Sequence, residues 1–163
     1  MDLRTRYLGL DLPHPFIAGA SPLTYNTDTV LKLEDAGAAA VILHSLFEEQ
    51  IVRDRLTPSK MQQGPDKMHL GVFDRSAKFP LQPDAYLEHL RGLKERVGIP
   101  VIGSLNGVEP GSWVRFATEI QKAGADAIEL NLYFIPMADE MKSAEIEAEV
   151  CSVVRAVREH SPI

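Results

Sequence analysis

The chain has 163 residues, 45% of them hydrophobic and 25% charged, enough for one domain with a real core. Its net charge of −6 leaves no basic excess to neutralise phosphates, which argues against nucleic acid or an anionic membrane as partner. The single cysteine, Cys151, excludes an intrachain disulfide and any multi-cysteine metal site, and fits a reducing, cytoplasmic setting.

No apolar run approaches the ~20 residues of a membrane span, and "MDLRTRYLGL" has no hydrophobic signal core. "RYLGLDLPHP" reads as a small hairpin. "PFIAGAS" is the first strand, over 16–19. Asn26 or Thr27 caps a helix carrying Val30, Leu31, Leu33 and Ala36, closed by Gly37. "AAVILHS" is the second strand, over 40–44. A long polar segment follows from about Leu46 to Gln82; a loop longer than ~15 residues is usually functional or disordered. Pro83 and Asp84 open a helix with Leu87, Leu90, Leu93 and Val97 on one face, and "IPVIGSLNG" gives a strand over 100–104. Ser112 caps a helix bearing Trp113, Phe116, Ala117 and Ile120. "DAIELN" is the strand over 127–131. Ser143 caps the last helix, whose Ile146, Val150, Val153, Val154 and Val157 form an inward stripe.

The chain repeats itself. "DAGAAAVILHS" matches "KAGADAIELNL", and "RVGIPVIGS" is a looser third copy. In each, a helix ends at glycine and a buried strand follows, the signature of a parallel sheet covered by helices. A doubly wound sheet would be complete with four or five such strands. A (β/α)8 barrel needs eight, typically in ~250 residues. The half-barrel is favoured, because the hairpin suits a barrel bottom and "AGASPLTYN" lacks dinucleotide-type G-x-G-x-x-G spacing. The expectation is one unit, 1–163: a hairpin and four βα units of a TIM-type barrel.

Right-handed crossovers gather the strand C-termini on one side. Ala18, Gly19, Ala20 and Ser21 are small enough for a flat ring to lie on bare backbone, although small residues also suit a strand turning into a helix. His44 matches Asn131 in the repeat, so the two are expected at one height on one side of the sheet. His44 alone is more readily a core histidine bonded to a neighbouring carbonyl. Ser45 stands beside it. Ser104 and Asn106 offer donors and acceptors, or else the turn chemistry that precedes Gly107. Glu48 and Glu49 are adjacent and read as a solvated face. Cys151, beside Val150, reads as a buried core thiol. His14, His69, His89 and His160 show no metal-ligand spacing, so no metal is expected.

"YLGLDLPHPFIAGASPLT", "GIPVIGSLNG" and "AGADAIELNL", in this order, resemble the FMN-dependent dihydroorotate dehydrogenases from about Tyr7 onward. The resemblance is nearest to the bacterial dihydroorotate dehydrogenase-like proteins, which also carry a "SLFEEQI"-type segment. It implies an oxidoreductase of pyrimidine metabolism, passing hydride between a small cyclic substrate and FMN held over the strand C-termini. It further implies flavin contacts from Ala18 to Ser21, His44, Ser45, Ser104, Asn106 and Asn131. The family follows that Asn with a Cys or Ser base; counted from Asn131 the position is Phe134, so no catalytic residue is assigned and dihydroorotate is not the expected substrate. The family's lysine strand and phosphate site come after a fourth unit, so the resemblance implies an N-terminal half with weak FMN affinity. Open edges at the first and fourth strands invite self-association or a complementing half. Two other readings stay open: a non-catalytic half-barrel module, and a different barrel enzyme for a phosphorylated metabolite.

Overall fold

A computed structural model of the protein describes residues 1–47, 82–107, 110–132 and 142–163. The chain opens with an antiparallel hairpin, β1 (Thr5–Tyr7) and β2 (Leu10–Leu12). Its two central residues, Leu8 and Gly9, have φ of 51° and 80°, the positive values of a two-residue type I′ turn. Leu12 is buried, and with Leu10 it packs on Ala39, Ala40, Ile102 and Ala127 at the foot of the main sheet.

That sheet is parallel and runs in chain order: β3 (Val41–Phe47), β4 (Val101–Gly107) and β5 (Ala127–Leu132). The expected first strand is shorter than its sequence suggests. It contributes one parallel bridge, Ala18 to Val41, held by Ala18 N–H to the Ala40 carbonyl (3.0 Å) and Ile42 N–H to the Ala18 carbonyl (2.8 Å). Pro15 on one side lacks an N–H, and on the other the chain turns into a 3-10 helix at Pro22–Tyr25. The four expected parallel strands are therefore three and a bridge among the described residues.

Among the described residues four α-helices follow the strands: α1 (Thr27–Asp35), α2 (Pro83–Lys94), α3 (Pro110–Lys122) and α4 (Ser143–His160). Asn26 caps α1 as expected, its side chain taking the Asp28 N–H at 2.8 Å. Two starts differ from the sequence reading. Helix α3 begins at Pro110, so Ser112 lies inside its first turn and does not cap it. Helix α4 is capped at Lys142, whose backbone N–H reaches the Glu145 carboxylate at 2.9 Å; the acid three residues on closes the turn.

All four helices share one apolar layer with one face of the sheet. Val30, Tyr86, Leu90, Phe116, Ile120, Val153 and Val157 pack there on Val41, Leu43, Val101 and Leu105. Neighbouring helices touch in chain order. A doubly wound sheet reverses its strand order and puts helices on both faces. Here the strand order is the chain order and the described helices lie on one side, which is the βα arrangement of the TIM-barrel type.

The inward stripe of α4 is narrower than expected. Val153 and Val157 are buried, but Val154 is 44% exposed. Cys151 is exposed as well, not a core thiol. At 100° per residue it lies about 200° round the helix from Val153, which turns it to solvent.

Two contacts fix the strands against the helices. Asp126 Oδ2 accepts from Lys94 Nζ (2.6 Å) and from the Val101 N–H (2.7 Å), tying the end of α2 to the starts of β4 and β5. Gly103 lets α3 come close: a Cβ there would stand 2.4 Å from Ile120 Cγ2, and Ile120 is fully buried. Gly103→Ala is therefore expected to cost about 1–3 kcal/mol by overpacking. Urea unfolding checks this, and in the Ile120→Ala background the added cost of Gly103→Ala should largely vanish.

Candidate functional site

The face of the sheet that carries none of the described helices is apolar at the foot and polar at the top. Ile42, Ile102 and Ala127 form one cross-strand row over the hairpin. The next row up is Ser45, Ser104 and Glu129, and the one above it is Phe47, Asn106 and Asn131. Strand alternation produces this, since Leu105, Leu130 and Leu132 between the polar residues face the helix layer.

Four polar side chains meet there. Ser45 Oγ and Ser104 Oγ are 2.9 Å apart, and Ser104 Oγ donates to Glu129 Oε1 at 2.7 Å. Asn131 Nδ2 donates to Ser104 Oγ (3.0 Å), Glu129 Oε1 (3.1 Å) and Ser45 Oγ (3.3 Å). Ser104 is fully buried, while Ser45, Glu129 and Asn131 are half-buried. The arrangement can bind and orient a polar ring edge through fixed hydrogen-bonding groups.

Of the residues singled out in the sequence, Ser45, Ser104 and Asn131 come together. Asn106 sits one step above Ser104 on the same face, level with Asn131. Ala18 to Ser21 line the edge beside β3. Ala18 packs toward the helix layer, Gly19 and Ala20 are exposed, and a Cβ at Gly19 would meet nothing within 4 Å. Flat backbone with free space above it fits a planar ring.

His44 does not join them, and the expected convergence with Asn131 is corrected. Between Ile42 and Ser45 the register of β3 shifts, two residues standing opposite Gly103 alone. This bulge turns His44 to the helix side, edge-on to Tyr25 (4.4 Å between ring centroids) and Tyr86 (5.1 Å). Its Nδ1 is buried without a partner among the described residues, and burial, helped by the nearby His89, pushes its pKa down to about 4. Tyr86 mends the ladder beside the bulge. Its hydroxyl accepts from the Ser104 N–H at 2.9 Å and lies 3.4 Å from the Ser104 carbonyl, and burial holds its own pKa well above the usual range.

Two further residues were not singled out in the sequence. Glu129 is one; a charged residue alternating with Ala127 and Asn131 on one side of a strand was its only signal. Thr24 is the other. Its fully buried hydroxyl accepts the His44 N–H (2.9 Å) and donates to the Ser21 carbonyl (2.8 Å), while the Thr24 carbonyl takes a hydrogen bond from His89 Nε2 (2.7 Å). A carbonyl only accepts, so the His89 proton is on Nε2. Thr24 thus pins the small-residue loop to β3 and α2. Glu48, Glu49 and Phe134 lie outside the described residues.

No family model matches the chain. It is 30% identical over 131 residues to the dihydroorotate dehydrogenase B (NAD(+)) catalytic subunit of Thermoplasma acidophilum, covering 80% of this chain and 41% of that protein. It is 27% identical to the NAD-dependent dihydropyrimidine dehydrogenase subunit PreA of Escherichia coli, covering 94% of this chain and 39% of that protein. The similarity is thus to dehydrogenases of the dihydroorotate and dihydropyrimidine kind, and the chain spans about two fifths of the length of these relatives. Among the described residues no helix is long and apolar enough to cross a membrane.

Proposed function

We propose that this chain forms the flavin-side half-barrel of an oxidoreductase of the dihydroorotate and dihydropyrimidine dehydrogenase kind, acting on a small cyclic substrate with FMN. The observation that carries the reading is the Ser45–Ser104–Glu129–Asn131 network. It sits at the carboxyl ends of parallel strands, on the face opposite the described helices, where barrel enzymes place their chemistry. The residues present fit a flavin ring: Gly19 leaves room for a flat body, and Asn131, Ser45 and Asn106 can hold a polar edge. When bound, FMN supplies a hydride acceptor. The chain's own residues orient the ring, and the apolar row over the hairpin closes the floor beneath it to water. His44 supports this face from behind through the bulge in β3.

The fold also favours self-association. Strand β5 has no neighbour beyond it among the described residues, and the bridge at Ala18 leaves the other edge almost bare. A two-fold pairing of such edges would resemble a whole barrel, with FMN bound weakly. Light scattering over a dilution series, with FMN titrated in parallel and followed by quenching of flavin fluorescence, tests both parts. Oligomers that dissociate on dilution and a quench weakened about tenfold by Asn131→Ala are expected. A dispersed monomer defeats the self-association, and an absence of quenching at millimolar protein defeats the flavin site.

A further inference from the structure

Glu129 determines where every proton in the network goes. An ionised carboxylate only accepts, so the Ser104 hydroxyl spends its one hydrogen on Glu129 Oε1. The 2.9 Å contact between the two serines therefore runs one way, from Ser45 Oγ–H to Ser104 Oγ. The same rule fixes the Asn131 side chain. Its NH2 arm must face Glu129, because a carbonyl oxygen at 3.1 Å from Oε1 would repel it. With the NH2 arm held by three oxygens, Asn131 Oδ1 lies on the other arm of the amide. Glu129 Oε2 likewise has no donor among the described residues. What the Glu129–Asn131 pair leaves for a ligand is two acceptors.

The structure assigns Glu129 as the positioning residue that locks the Asn131 carboxamide with its NH2 inward, so that these two side chains present acceptors and favour a ligand bearing a ring N–H. The ligand clause rests on the functional reading above; the locking of Asn131 does not. Two ring sources share this chemistry, the pyrimidine-type edge of a flavin and a free pyrimidine substrate.

The locking is tested in the ligand-free chain by following the Asn131 side-chain NH2 pair in nitrogen-15 spectra. In the unaltered protein, solvent exchange of that pair is expected to be slow, because three oxygens hold it. Glu129→Gln, whose amide can donate as well as accept, is expected to shift the pair and speed its exchange about tenfold, one lost charge-assisted bond. Backbone signals of β3 and β4 should stay in place, which a general structural loss would not allow. Ser104→Ala gives a second, milder route to the same shift. Unchanged Asn131 exchange in both variants overturns the assignment. The ligand clause is tested on the unaltered protein with FMN against its N3-methyl analogue and uracil against 1,3-dimethyluracil. Methylation is expected to weaken the true ligand at least tenfold and leave the other pair indifferent. Equal binding of parent and methylated rings overturns the acceptor polarity. If the Asn131 signals respond as expected and neither parent ring binds, the flavin and pyrimidine reading fails while the role of Glu129 stands.

Discussion

Dihydroorotate is expected to leave FMN bound to this protein oxidised for far longer than it does in the same protein carrying Phe134→Cys. The resemblance places a Cys or Ser proton acceptor three residues after the strand-ending Asn, and counted from Asn131 this chain has Phe134 there. A phenyl ring exchanges no proton. On the described part of the face, Glu129 Oε1 is engaged by Ser104 and Asn131 and the serine hydroxyls are ordered toward it, which leaves Glu129 Oε2 as the one carboxylate oxygen there without a donor. A positioned general base contributes typically ~10²–10⁴-fold, so the substitution should raise the rate of flavin bleaching by about that factor. Anaerobic mixing with dihydroorotate, followed at the flavin absorbance band, is the measurement. Rapid bleaching in the unaltered protein, not improved by Phe134→Cys, would show that proton removal is handled by another group and that dihydroorotate is a substrate after all.

The strands were legible because their rule is simple: a helix ends at glycine, and an apolar run follows. "AGADAIELN" and "IPVIGSLNG" became β5 and β4 within a few residues of the expected bounds. The rows across the sheet were not legible, because they depend on register. The repeat aligns His44 with Asn131. In the sheet, stagger sets Ile42 level with Ala127, and the bulge then adds a residue, so Ser45 meets Glu129 and Phe47 meets Asn131. One inserted residue moved His44 to the opposite face. The same blindness to register hid Glu129, whose partner Ser104 is 25 positions away in the chain. The first strand failed differently: its apolar run is genuine, but Pro15 and the turn at Pro22 leave room for only one bridge.

The corrected position of His44 has a consequence for stability. The imidazole is buried between Tyr25 and Tyr86, its Nδ1 has no acceptor among the described residues to share a proton with, and His89 adds positive charge nearby when protonated. Burial first, and that charge second, lower its pKa from 6.5 to about 4. The folded protein therefore holds His44 neutral at pH 7. As pH falls below about 6.5 the unfolded chain takes up the proton before the folded one can, so stability falls, and the loss levels off only below about pH 4. At 1.36 kcal/mol per pKa unit, His44 is expected to remove about 3 kcal/mol of stability between pH 7 and pH 4. Other groups titrate in the same window, so the comparison is with His44→Phe, which keeps an aromatic ring against both tyrosines and has no proton to gain. Urea unfolding at pH 7 and pH 4 should show a fall in stability smaller by about 3 kcal/mol in the variant. Equal falls in the two proteins would mean that the imidazole is protonated as readily in the folded state as in the unfolded one, and that the site between Tyr25 and Tyr86 admits water.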